Sequence, residues 1–149
     1  MTRATVAHDV LIASCAISAG IHAALVPEHL REETAAGVGF LASAALLAVL
    51  CVALTYRPES RLAVRAAGAV LAGLTAAYAL AITVGVPVLH PDQEPADGLG
   101  LVTKAIELVG LAAALHLTAP GRPAGRLTRL QPKGTRSPMH ARTGASRSA

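Results

Sequence analysis

Four apolar stretches, each close to the length of a membrane crossing, dominate the sequence: residues 6–26, 34–56, 63–88 and 98–118. A helix needs about 20 residues to cross a hydrocarbon layer about 30 Å thick. Backbone polar groups inside lipid must pair within their own segment, so stretches of this length predict helices. The two-residue alternation of a β-barrel is absent. The first stretch is the weakest, because its apolar heart covers only residues 10–26 and needs the residues around His8 and Asp9 to reach full length. Arg3 precedes it, and Ile12-Ala13-Ser14-Cys15 resembles a lipoprotein cleavage site. The apolar run continues for eleven residues past Cys15, however, so an uncleaved first span is expected. The expected fold is all-α: a four-transmembrane-helix bundle over residues 1–118, then a basic, disordered tail over 119–149.

Composition agrees with this reading. The chain is 53% hydrophobic and 15% charged, against about 25% charge in soluble domains. This disfavours a soluble enzyme. The net charge of +4 hides an asymmetry: residues 120–149 hold seven Lys/Arg and no acid, while residues 1–119 hold six Lys/Arg and all nine acids. The basic excess therefore belongs to the tail and implies no specific nucleic-acid partner. Cys15 and Cys51 sit in separate apolar runs, with neither metal-pair spacing nor a disulfide framework.

Lys and Arg in short loops set the orientation of a membrane protein. Arg3, then Arg57, Arg61 and Arg65, then the tail fall on one side; the acidic segments at 27–33 and 88–97 fall on the other. The alternation predicts both termini on the cytoplasmic side of the plasma membrane.

Polar residues within the spans are the functional candidates, because a charge at the bilayer centre costs about 2.5–3.5 kcal/mol on insertion scales. His22 lies about 6 Å inside the outer end of span one, and Lys104 and Glu107 about 9 and 14 Å inside span four. Lys104 and Glu107 are three residues apart and share a helix face with Gly100 and Leu111. Ser14, Ser18 and His22 recur every four residues and mark the interior face of span one. The three candidates are expected to converge in the outer half, with Lys104 and Glu107 as a self-neutralising pair. Tyr78 and Thr83 are expected to be packing and backbone-bonding residues.

Above them lies an acidic, histidine-bearing segment. Pro27 suits the first turn of a helix, so 28–33 is expected to begin the second helix, with His29 facing Glu32 and Glu33. His90, Asp92 and Glu94 come from the third loop on the same side. Imidazoles and carboxylates together suit a divalent transition metal such as zinc or copper. The candidate ligands are His22, Glu28, His29, His90 and Glu94. No nucleotide-binding, hydrolase or zinc-protease motif is present, so no catalytic residue is assigned.

The segments Ala19-Gly20-Ile21-His22, Pro27-Glu28-His29 and Thr83-Val84-Gly85-Val86-Pro87 followed by Glu94 make residues 15–115 similar to a group of uncharacterised four-span actinobacterial membrane proteins. The resemblance implies the four-span fold and carries no activity. In that group the second helix often has aromatics where this chain has Gly39-Phe40-Leu41.

Three functions are compatible with these features. The first is a membrane protein with an extracytoplasmic His/carboxylate metal site for sensing, holding or passing an ion. The second is a non-catalytic accessory subunit of a membrane complex. The third is a proton-coupled small transporter, which at four spans would need to oligomerise. The partners expected are the lipid bilayer and either a second copy or a complex subunit.

Overall fold

A computed structural model describes residues 2–85 and 97–119. These form four helices: α1 (Arg3–Glu32), α2 (Thr34–Tyr56), α3 (Arg61–Thr83) and α4 (Gly98–Thr118). All four are long and apolar enough to cross a membrane. The Ala- and Leu-rich sequences favour helix, and three starts are closed by side chains. Thr2, Ser60 and Asp97 accept from the backbone N–H of Thr5, Ala63 and Gly100, satisfying donors that the helix itself leaves unpaired.

Two boundaries differ from expectation. Helix α1 does not stop before Pro27; it runs through it to Glu32, and only Glu33 is extended, with φ −150° and ψ 112°. Proline removes one intrahelical bond, but so close to the helix end few bonds depend on it. A single residue therefore links α1 to α2. The second helix begins at Thr34 rather than within 28–33. Helix α3 ends at Thr83, short of the expected residue 88. Gly85 takes a positive φ of 74°, which glycine alone adopts without strain, and Pro87 follows in the sequence. Spans 34–56 and 98–118 coincide with α2 and α4. The tail, 120–149, lies outside the described residues.

The helices form an up-and-down bundle. At one end, here the Glu33 end, lie the close of α1 and α3 and the start of α2 and α4; the opposite, Arg57 end holds their other termini. The apolar core gathers toward the Arg57 end, from Leu11, Cys15, Leu47, Leu50, Leu54, Ala63, Val64, Ala67, Leu71, Ala113 and Ala114. Close packing there rests on small residues, as in many membrane helix contacts. A Cβ on Gly110 would lie 2.6 Å from Ser14 Cβ, and one on Gly68 would lie 3.1 Å from Ala114 Cβ. The outward faces are apolar too: Val38, Leu41, Leu46, Val49 and Val52 on α2 and Leu101, Val102, Leu108, Val109 and Leu115 on α4 are all exposed. Such an inverted surface is suited to lipid contact.

Helix α3 differs from the others. Its buried residues, Ala63, Val64, Ala67, Gly68 and Leu71, all lie in its first half. Beyond Leu71 it leaves the core, and α2 and α3 stand apart toward the Glu33 end.

Candidate functional site

The polar face of α1 meets the charged face of α4 in the half of the bundle nearer Glu33. Ser14, Ser18 and His22 are all buried, as the four-residue ladder predicts. Ser18 Oγ donates to Glu107 Oε1 at 2.8 Å. Lys104 Nζ donates to Glu107 Oε2 at 2.6 Å and to the carbonyl of Leu74, on α3, at 3.3 Å. Glu107 is fully buried, and both its carboxylate oxygens are engaged. The ion pair is thus held by three helices and is charge-neutral, the condition under which buried charges are tolerated.

His22 completes the cluster without closing it. Its Nδ1 lies 2.9 Å from the carbonyl of Ser18. A carbonyl can only accept, so Nδ1 carries the hydrogen and Nε2 presents a lone pair. Nε2 is 4.0 Å from Glu107 Oε1, beyond hydrogen-bond length. His22, Lys104 and Glu107 do converge, as the sequence predicts.

Where α2 and α3 part, a cleft of about 260 Å³ opens. Phe40 and Ser43 from α2, Leu74, Ala77 and Tyr78 from α3, Leu25 and His29 from α1, and Thr103 from α4 line it, and it reaches His22 and Lys104. Lys104 Nζ stands 5.5 Å from the centre of the Tyr78 ring, within cation–π range. The Tyr78 hydroxyl is buried with no hydrogen-bond partner among the described residues. Gly100 makes room for that ring, because a Cβ there would meet the Tyr78 oxygen at 2.8 Å. The sequence holds one Phe and two Tyr; two of these three aromatics face the cleft, whereas Tyr56 is exposed at the opposite end.

Of the expected metal ligands, His22, Glu28 and His29 fall within the described residues. His22 and His29 lie on the same face of α1, and each ring packs on Phe40, with centroid distances of 5.5 and 4.2 Å. His29 Nδ1 donates to the Leu25 carbonyl at 3.0 Å, so its Nε2 is also the bare nitrogen. Seven residues of helix separate the two histidines by about 10 Å, whereas two imidazoles on one zinc must each approach within about 2.1 Å. Phe40 lies against both rings in this arrangement. Glu28 is exposed, away from the cleft. His29 lines the cleft and packs on Phe40. Among the described residues, no three of His, Cys, Asp and Glu form a group that could hold a metal. His90 and Glu94 lie outside the described residues.

Thr83 bonds backbone as expected, donating to the Ala79 carbonyl at 2.6 Å. Phe40 and Ser43 escaped the sequence reading, and Tyr78, expected to pack or bond backbone, lines the cleft. The available signal was the scarcity of aromatic residues, which makes each one informative. Compared with known proteins, the chain matches no family model, no curated sequence and no solved structure.

Proposed function

We propose that the protein is a plasma-membrane protein, with both termini cytoplasmic, that binds a small molecule in its extracytoplasmic half and couples that binding to protons. The observation that carries this reading is the cleft between α2 and α3, which ends on the ion pair and the bare Nε2 of His22. Glu107 and His22 are the groups that exchange a proton, and Lys104 senses the result through its bond to Glu107. Of the three functions compatible with the sequence, proton-coupled transport uses this arrangement most fully. The test begins with access. In a chain carrying Cys15→Ala and Cys51→Ala, single cysteines replacing Ala36 and Ala77, both on the cleft, should react with a membrane-impermeant maleimide added outside cells. One replacing Ala114 should not. Labelling only from the cytoplasmic side, or none at either cleft position, refutes the reading. Reporter fusions supply the topology: cytoplasmic reporters should be active after Arg61 and Ala149, and periplasmic-type ones after Glu32.

The accessory-subunit reading draws support from α3. Its outward residues Ala69, Gly73 and Ala76 are exposed and small, the kind of face that lets another helix approach closely.

A further inference from the structure

We propose that the cleft takes an uncharged, lipid-soluble molecule bearing a hydrogen-bond-accepting oxygen, such as a ketone carbonyl, which Lys104 and Tyr78 hold. The inference rests on the small-molecule reading above and names the class of ligand.

Charge comes first. The ionic groups nearest the cleft's inner end already cancel: Lys104 is paired with Glu107 at 2.6 Å. At that inner end a charged ligand would find both ionic groups already paired, since the other carboxylate on the cleft, Asp97, is exposed and already accepts from the Gly100 N–H, and it would carry a large desolvation cost. A neutral ligand carries no such penalty.

Hydrogen bonding comes second. An ammonium has three donors, and Lys104 uses two, on Glu107 and the Leu74 carbonyl. One remains. The Tyr78 hydroxyl has no partner among the described residues, and a buried hydroxyl left unpaired is costly. Lys104 and Tyr78 are adjacent, with Nζ 5.5 Å from the ring centre. Both side chains line the cleft, which therefore holds two donors, the Tyr78 hydroxyl lying beside Gly100, one helical turn from Lys104 toward the Glu33 end. The other hydroxyls on the cleft are already satisfied: Ser43 donates to the Gly39 carbonyl and Thr103 to the Leu99 carbonyl. Two donors facing one space call for an accepting oxygen.

Shape comes third. Phe40 and Tyr78 face the cleft from the two parted helices, and Leu25 and Leu74 complete an apolar lining. A cleft of about 260 Å³ is at the small end of ligand pockets and suits one flat ring system. The parting of two bilayer-facing helices gives a lipid-soluble molecule a route in.

The test uses four compounds built on one ring: 2-acetylnaphthalene, 2-ethylnaphthalene, 2-naphthoate and 1-(2-naphthyl)ethylamine. Retention is measured by equilibrium dialysis against the full chain in nanodiscs, with empty nanodiscs subtracted. The ketone should be retained saturably and at least tenfold more tightly than the hydrocarbon, the anion or the amine. Tyr78→Phe should weaken ketone retention about tenfold while leaving hydrocarbon retention unchanged. Tyr56→Phe, at the other end of the bundle, should change neither, and it controls for tyrosine loss. Equal retention of ketone and hydrocarbon overturns the inference, as does preference for either ion. In those cases the small-molecule reading stands and only the ligand class fails. If none of the four is retained, the cleft reading itself fails.

Discussion

The Lys104–Glu107 pair lends itself to a double-mutant cycle with an asymmetric outcome. Glu107→Leu leaves an ammonium whose side chain is 13% exposed, with only the Leu74 carbonyl at 3.3 Å to hold it. Removing one partner of a buried pair costs about 3–5 kcal/mol, because the other charge is stranded. The upper part of that range applies here, since the remaining bond is long. Lys104→Met strands the carboxylate instead, but Ser18 still donates to it at 2.8 Å, so the lower part applies, about 3 kcal/mol. The double substitution Lys104→Met/Glu107→Leu leaves no buried charge, only the Ser18 hydroxyl without its carboxylate acceptor, and replaces the pair with apolar groups of similar size. Such replacements are often neutral or stabilising, so the double variant should lie within about 1 kcal/mol of the native chain. The coupling energy is then about 6–9 kcal/mol, above the range of about 0.5–3 kcal/mol seen for most contacting residues. Reversible unfolding in mixed micelles by added sodium dodecyl sulfate measures all four proteins. If the double variant is as destabilised as the two singles summed, the pair is uncoupled and the reasoning from buried charge is wrong.

Gly110→Ala should destabilise by about 1–3 kcal/mol through overpacking, because its Cβ would lie 2.6 Å from Ser14 Cβ and force α1 and α4 apart. Gly20→Ala meets nothing within 4 Å and should be neutral or gain up to about 1 kcal/mol in helix propensity; thermal unfolding of the two variants side by side gives the ranking. Gly37→Ala should loosen the link between α1 and α2, since the new Cβ would sit 2.6 Å from the Leu30 backbone nitrogen; faster proteolysis near Glu33 is the expected signature. Ser18→Ala removes a hydrogen bond to a fully buried carboxylate and should cost about 1.5–3 kcal/mol, with Ser18→Thr recovering part of the loss.

The number and type of helices were legible because lipid imposes one demand, internal pairing of every backbone group, and apolar length reports it directly. The interior faces of α1 and α4 were legible for a related reason: charge and hydroxyl groups at helical spacing have nowhere else to point. Gly20 shows where that logic stopped. A small residue is the kind that lets membrane helices approach closely, yet Gly20 lies two residues beyond Ser18, on the opposite side of α1, and is exposed. Pro27 shows another limit, since a proline marks a helix start or a tolerated late position with the same letter. The cleft was not legible at all. It arises because α3 leaves the core after Leu71, and no residue type announces a helix's departure. Without that parting, Phe40 and Tyr78 look like ordinary packing residues.

The three-helix polar cluster also bears on how the chain is made. Of the four described helices, α1 is made before the others and carries Ser14, Ser18 and His22 on its inner face, and α4, which supplies Glu107, is made after α1, α2 and α3. Through most of synthesis α1 holds a hydrogen-bonding face without its partner, which an insertion channel or a bound factor must shelter. Helix α4, by contrast, brings its own counterion three residues away and can enter lipid as a neutral unit. Assembly is therefore completed by the last span, and a chain truncated before Gly98 would hold three inserted helices with an unfinished interior. Cells would meet such a product as a substrate for membrane quality control.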